Sequence, residues 1–187
     1  VTMNKPAKKK KCASCKNPFS PRNSMAKVCT LSCALDYAEK ESAKRVAKDR
    51  AQRKRDFLAN DVKFQKAKAQ KSFNEFIRLR DAHLGCVSCD KGPDWQGQWH
   101  AGHYKTVGAR GDLRFNENNV HRQCSVCNNH LSGNLVAYRE ELIRRIGIDA
   151  VETMEKEGEP KRYRAEDYAE IAKEYAQKAK ELKCKVL

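Results

Sequence analysis

The chain has 187 residues, 40% of them hydrophobic and 34% charged, and carries a formal net charge of +15. That supply of apolar side chains is thin for the length, which predicts small modules and long exposed helices rather than one large globule. No apolar run approaches the ~18 residues needed to span a bilayer, and no secretory signal is visible among the first, basic residues.

The charge is unevenly placed. Residues 1–71 hold 20 of the 39 Lys and Arg but only 6 of the 24 Asp and Glu. A polycationic segment of this kind attracts nucleic acid through phosphate contact and counterion release. A membrane surface fits less well, because the basic region lacks an apolar face. Residues 1–11, with Lys8 to Lys11 consecutive, read as a disordered arm.

Eight of the nine cysteines fall into close pairs: Cys12/Cys15, Cys29/Cys33, Cys86/Cys89 and Cys124/Cys127. Without an export signal, such pairing points to metal in a reducing compartment rather than to disulfides. The first two pairs follow C-x2-C-x13-C-x3-C, a zinc ribbon or knuckle too short for a core of its own. Cys184 reads as an ordinary helix residue.

Between Arg22 and Leu84 there is no Gly or Pro, and Ala, Lys, Arg, Glu, Asp and Gln dominate from Asp36 to Lys71. These residues predict a long helix, broken near Asn60-Asp61. Its apolar positions make no sustained heptad. Lys44, Arg45, Lys48, Arg50, Arg53, Lys54 and Arg55 make it a candidate DNA-tracking helix. Ser72 with Glu75 fits a capping box, predicting a helix start there and a domain boundary near residue 71. The amphipathic run Phe73, Phe76, Ile77, Leu79 is expected to pack on the hairpin that follows.

That hairpin is the centre of the sequence. It opens with Cys86-Val87-Ser88-Cys89 and closes with Cys124-Ser125-Val126-Cys127, four thiolates able to hold one zinc with every position closed. Between them, Trp99 to Tyr104 reads as a strand ending near His103. Thr106 to Arg114 reads as a loop, Asn118-Asn119 leads back, and Cys124 to Asn134 begins a helix. Leu135, Tyr138, Leu142 and Ile146 form one helical face ending at Gly147. A short helix over Asp149 to Glu155 is stopped by Gly158 and Pro160. Tyr168, Ile171, Ala172, Tyr175, Ala179 and Leu182 then mark a final helix whose stripe reads as core or interface. The expected organisation is residues 1–35 as basic arm and knuckle, 36–71 as basic helix, 72–147 as the zinc-pinned module and 148–187 as C-terminal helices.

The order Cys86-x2-Cys89, Gly102-His103, Asn119, Cys124-x2-Cys127-Asn128 resembles an HNH endonuclease in its zinc-stapled variant. More narrowly, the chain resembles the NinG, or Rap, family of lambdoid phage recombination proteins. The residues that carry this are the N-terminal cysteine pairs, the basic middle, Ala101 to Tyr104, Leu113 to Asn116, and Cys124 through Asn128, His130 and Ser132-Gly133-Asn134. The resemblance implies a mostly helical α+β protein: a small ββα-metal (HNH-like) module pinned by a four-cysteine zinc, an N-terminal zinc knuckle and a long basic helix. It implies a structure-selective nuclease acting on branched DNA in the cytoplasm of the bacterial host, alongside other phage recombination proteins. A homodimer suits the two-fold symmetry of a junction.

Phosphodiester hydrolysis needs an activated water and charge neutralisation at the phosphate. A neutral imidazole takes the water's proton at physiological pH, and His103 is assigned that role. Mg²⁺ or Mn²⁺ prefers oxygen ligands and few protein contacts, which suits Asn128 with one more side chain. Many HNH sites place that second ligand just before the base, where Gly102 stands here, so His100 or His130 is the candidate replacement. Asn119 is expected to tie the loop and orient His103, and Arg114, Arg110 or Arg122 to clamp phosphate. Two other readings stay open: a non-catalytic zinc protein that binds DNA branches, and an RNA-binding zinc-knuckle protein.

Overall fold

The computed structural model describes residues 9–159 and 161–186; residues 1–8 of the basic arm and the Pro160 helix stop lie outside that range. Over the described residues the protein is mostly helical with two small antiparallel sheets. It divides into two compact units, Val1–Phe57 and Leu58–Leu187.

In the first unit, β1 (Lys10–Lys11) pairs with β2 (Pro18–Phe19). The tight turn between them places Lys16 at φ 67 and closes Lys16 N–H onto the Cys12 carbonyl at 3.0 Å. Asn23 Oδ1 accepts from the backbone of Met25 and Ala26, a side-chain-made turn that leads into α1 (Leu31–Asn60). Thr30 starts that helix: its Oγ1 accepts from Cys33 N at 3.2 Å, a standard cap. The helix thus begins five residues before the expected Asp36, and none of its residues is buried.

The break expected near Asn60-Asp61 is present, and its cause is a second cap. Asp61 leaves helical geometry and accepts from Phe64 N at 2.8 Å, launching α2 (Val62–Arg80). The helix start expected at Ser72 is not formed, because α2 runs unbroken through it. A capping box needs a non-helical first residue, and Asp61 has already nucleated the helix eleven positions upstream.

The second unit is built around β3 (Trp99–His103) and β4 (Val120–Cys124), an antiparallel ribbon with Gly102 opposite His121. Every residue of β4 is buried, so helices cover both its faces. On one face, Phe73, Phe76 and Ile77 of α2 pack with Val120 and with Tyr175 and Ala179 of α5 (Ala165–Val186). Phe73 meets Tyr175 edge-on at 4.7 Å and Phe115 at 5.5 Å. On the other, Tyr138 and Leu142 of α3 (Leu135–Ile146) and Val151 and Met154 of α4 (Ile148–Glu155) close over Val87, Tyr104 and Leu113. Asp81, buried at the end of α2, locks helix to ribbon: it takes both forks of Arg80 and the Arg122 amide. Gly147 ends α3 at φ 84, a conformation side chains resist.

The helix expected from Cys124 is shorter than predicted. A single wide turn, Val126–His130, closes Leu131 N–H onto the Val126 carbonyl at 3.1 Å. Three successive positive-φ residues, Ser132, Gly133 and Asn134, then re-aim the chain before α3.

Candidate functional site

Two cysteine tetrads assemble as the spacing required: Cys12, Cys15, Cys29, Cys33 and Cys86, Cys89, Cys124, Cys127. Within each, all four sulfurs lie within 4.8 Å of one another. Tetrahedral zinc with bonds of ~2.3 Å puts its sulfurs ~3.8 Å apart. The neighbouring separations of 3.6 Å for Cys15–Cys29 and Cys29–Cys33, and 3.8 Å for Cys89–Cys124, fit that figure. Backbone amides also point at the sulfurs: Cys124 N at Cys86 Sγ, 3.3 Å, and Cys127 N at Cys124 Sγ, 3.4 Å. Both tetrads could therefore hold zinc. They differ in exposure, because Cys15 and Cys29 face solvent whereas Cys86, Cys124 and Cys127 are buried.

The second tetrad fixes the ribbon, and several residues outside the expected set tie it down. Gln123 Nε2 donates to Ser88 Oγ and to the Gly133 carbonyl, both at 2.6 Å. Asn134 Nδ2 donates to the Ser88 carbonyl. The Ser132-Gly133-Asn134 signature is thus a clasp between the two knuckles, and its cluster of turn-forming residues is the signal that could have shown it.

His103 ends β3, half-buried, with Nε2 3.1 Å from the Arg114 carbonyl. A carbonyl only accepts, so Nε2 carries the proton of the neutral ring and Nδ1 keeps a lone pair. Burial, together with the Arg114 guanidinium, pushes this imidazole below its ordinary value of 6.5 against the opposing pull of the carbonyl. Asn119 is fully buried: it accepts from Lys105 N and donates to the Lys105 and Leu113 carbonyls. It ties the loop but makes no bond to His103 itself.

Asn128 sits in the wide turn with Nδ2 3.0 Å from His100 Nδ1. Its Oδ1 is turned toward Gly102, where an added Cβ would stand 3.1 Å away. The same Cβ would come within 2.0 Å of Gln123 Oε1, a buried oxygen with no hydrogen-bond partner. A side chain at this position would push Gln123 off the bonds its Nε2 makes to Ser88 and Gly133, and two amide oxygens face the place of the missing ligand. Such oxygens suit a hard cation. His130 is exposed on the same turn but does not line the pocket beside Asn128 and His100. Strand alternation puts His100 and Gly102 on one face of β3, with His103 following at the strand's last position.

Two of the three proposed phosphate clamps are structural. Arg110 pairs with Asp112 and donates to the Met154 and Lys156 carbonyls, stapling α4 to the loop. Arg122 is buried, stacks 3.8 Å from the Trp99 ring centre and donates to the Ala82 and Leu84 carbonyls. Arg114 donates to Gln70 Oε1 and stays half-exposed. His121 is buried against Tyr138, and burial drives it down to about 3. On α1, the seven basic residues expected to track DNA, Lys44 to Arg55, are all exposed. At 100° per residue they spread around the helix rather than form one stripe.

A family model described as Bacteriophage Lambda NinG protein matches residues 3–185. The chain belongs to the NinG family. The NinG proteins of Escherichia phage lambda and Salmonella phage P22 are 51% and 50% identical to it over 115 residues, 62% of this chain. Those alignments span 55% and 56% of the relatives, about half their length. NinG of Enterobacteria phage H19B is 38% identical over 197 residues, 97% of this chain and 96% of that one. No solved structure matches. Among the described residues of this NinG chain, no helix is long and apolar enough to cross a membrane.

Proposed function

We propose that this chain is a metal-dependent endonuclease that hydrolyses phosphodiester bonds in branched DNA during phage recombination, working in the host cytoplasm. In this reading the ribbon β3–β4 and the turn Val126–His130 form an HNH-type ββα-metal module. The observation that carries it is the single imidazole of His103, held by one backbone carbonyl at the ribbon's end, with its other nitrogen left free. Its lowered proton affinity keeps that nitrogen unprotonated at neutral pH.

His103 Nδ1 takes a proton from water, the water oxygen attacks phosphorus, the bond to the leaving sugar oxygen breaks, that oxygen takes a proton from solvent, and His103 releases its own to solvent. Asn128, with His100, would hold Mg²⁺ or Mn²⁺, and the buried Gln123 Oε1 is the nearest further oxygen donor facing Gly102. Such an ion supplies charge neutralisation at the phosphate and stabilises the leaving oxygen. Asn119 holds the Lys105–Leu113 loop in place beside the strand. The exposed cations of α1 add sequence-independent attraction to DNA.

A second reading has a specific observation behind it. No carboxylate lines the pocket beside Asn128, which favours a zinc protein that binds branches without cutting them. Incubating a labelled four-way junction with Mg²⁺ or Mn²⁺ separates the two. The endonuclease reading expects cut strands with the wild type and none with His103→Ala at equal binding. Binding without cutting by both proteins establishes the second reading instead.

A further inference from the structure

With Arg110 and Arg122 tied into the fold, and Arg114 held by Gln70 and outside the lining of the pocket beside Asn128, that pocket still needs a cation for the DNA backbone. A different arginine is placed for it. Asn74 and Arg78 lie one turn apart on α2 and line, with Gln98, Trp99, His100 and Asn128, a pocket of about 520 Å³. Arg78 is half-exposed and forms no hydrogen bond or ion pair among the described residues. Its influence reaches Glu75 on the same helix, but that carboxylate is already held by Lys183 at 2.6 Å.

The other groups lining the pocket point the same way. Asn74 Oδ1 accepts from Gln70 Nε2 at 2.8 Å, which leaves the Asn74 amide hydrogens free to donate. Gln98, His100 and Asn128 add neutral polar groups, and no acid opposes the guanidinium. Among the described residues, strand β3 pairs with β4 alone, so its other edge is unpaired there. A donor-rich pocket with one unpartnered guanidinium suits a phosphate, which matches the planar fork of arginine. A nucleobase fits less well, because Arg122 already covers Trp99 and Trp95 meets it edge-on at 5.1 Å.

We propose that Arg78 is the substrate-positioning residue that anchors a DNA phosphate in the pocket between α2 and β3, beside Asn128 and His100. The assignment deepens the DNA-cleaving reading above and rests on it only for what happens after binding. The test is fluorescence-anisotropy titration of a labelled four-way junction by the full zinc-loaded chain, without added Mg²⁺ or Mn²⁺, at several salt concentrations. Arg78→Ala should weaken binding about tenfold, the loss expected for one charge-assisted hydrogen-bonded pair. It should also lower the slope of log affinity against log salt by about one, the signature of one lost phosphate contact. Arg78→Gln, which keeps the size without the charge, should show the same slope change, and Arg78→Lys should restore the slope.

Zinc content and circular dichroism of each variant confirm the fold. Wild-type affinity and slope in Arg78→Ala or in Arg78→Gln overturn the anchor. The two proposals fail separately. A wild type that binds but never cuts refutes the endonuclease while a changed slope still supports Arg78. A wild type that cuts while the Arg78 variants bind and cut unchanged refutes the anchor alone.

Discussion

Histidines at 103 and 121 face each other's strands within one small ribbon, yet the fold treats them differently. His103 keeps a free nitrogen at the strand end, whereas His121 is sealed between Tyr138 and the Arg80–Asp81 pair. Burial holds His121 near 3, against about 6.5 when unfolded. Its folded value is depressed, so the unfolded chain binds the extra proton as pH falls through the unfolded value. Stability is therefore intact above about 6.5 and drains away toward 3, by about 2 kcal/mol between pH 7 and pH 5. Urea unfolding at these pH values should show that loss on top of any zinc-linked change, and in the non-titrating His121→Gln the difference between pH 7 and pH 5 should shrink by about that amount. An unchanged difference contradicts the assignment. The sequence shows a His beside a knuckle but not its burial, which depends on Tyr138 seventeen positions away. The same holds for Arg110 and Arg122, whose partners lie up to 46 and 40 residues distant. By contrast, the cysteine tetrads were legible because each pair is local and only the pairing of pairs is not.

Among the elements, the two helices α2 and α5 carry the unit that presents the ribbon. The periodic stripe of α5 was readable, since Tyr168, Ala172, Tyr175 and Ala179 recur at helical spacing and are buried as that spacing demands. The start of α2 was not readable from Ser72, because a local capping motif carries no information about whether the helix has already begun. The stripe makes a quantitative prediction. Phe73 is fully buried, with edge contacts to Tyr175 and Phe115. Phe73→Ala should cost about 3–5 kcal/mol of this unit's unfolding free energy, read from its denaturant transition. A loss under about 1 kcal/mol would mean that α2 does not form the floor of the ribbon. The helical turn at Val126–His130 lies within the helix expected from Cys124, but its early end was hidden. Its end is set by the left-handed run Ser132 to Asn134, and only the adjacent Gly and Asn hinted at it.

At the scale of the whole chain, two four-sulfur clusters of unequal exposure stand in two compact units. If both hold zinc, a colorimetric chelator should draw out one equivalent quickly, from the first tetrad, where Cys15 and Cys29 face solvent. The second equivalent should leave slowly, with loss of folded structure, since Cys86, Cys124 and Cys127 are buried. Cys29→Ser should remove the fast phase alone, and a single phase of two equivalents contradicts the difference. The long basic helix was legible from composition, since nothing in residues 36–60 interrupts a helix and none of its side chains finds a core. The meeting of Asn128 with His100 was not legible, because it joins residues 28 positions apart and depends on the wide turn closing back onto the ribbon. The most direct test of the central claim is the pH dependence of single-turnover cleavage of a four-way junction with Mn²⁺. With His103 as base, the rate should rise with pH to a plateau, with a midpoint below 6.5 in the wild type, and His103→Ala should lack both the limb and the plateau rate. Cleavage by His103→Ala with the wild-type rate and profile contradicts the account.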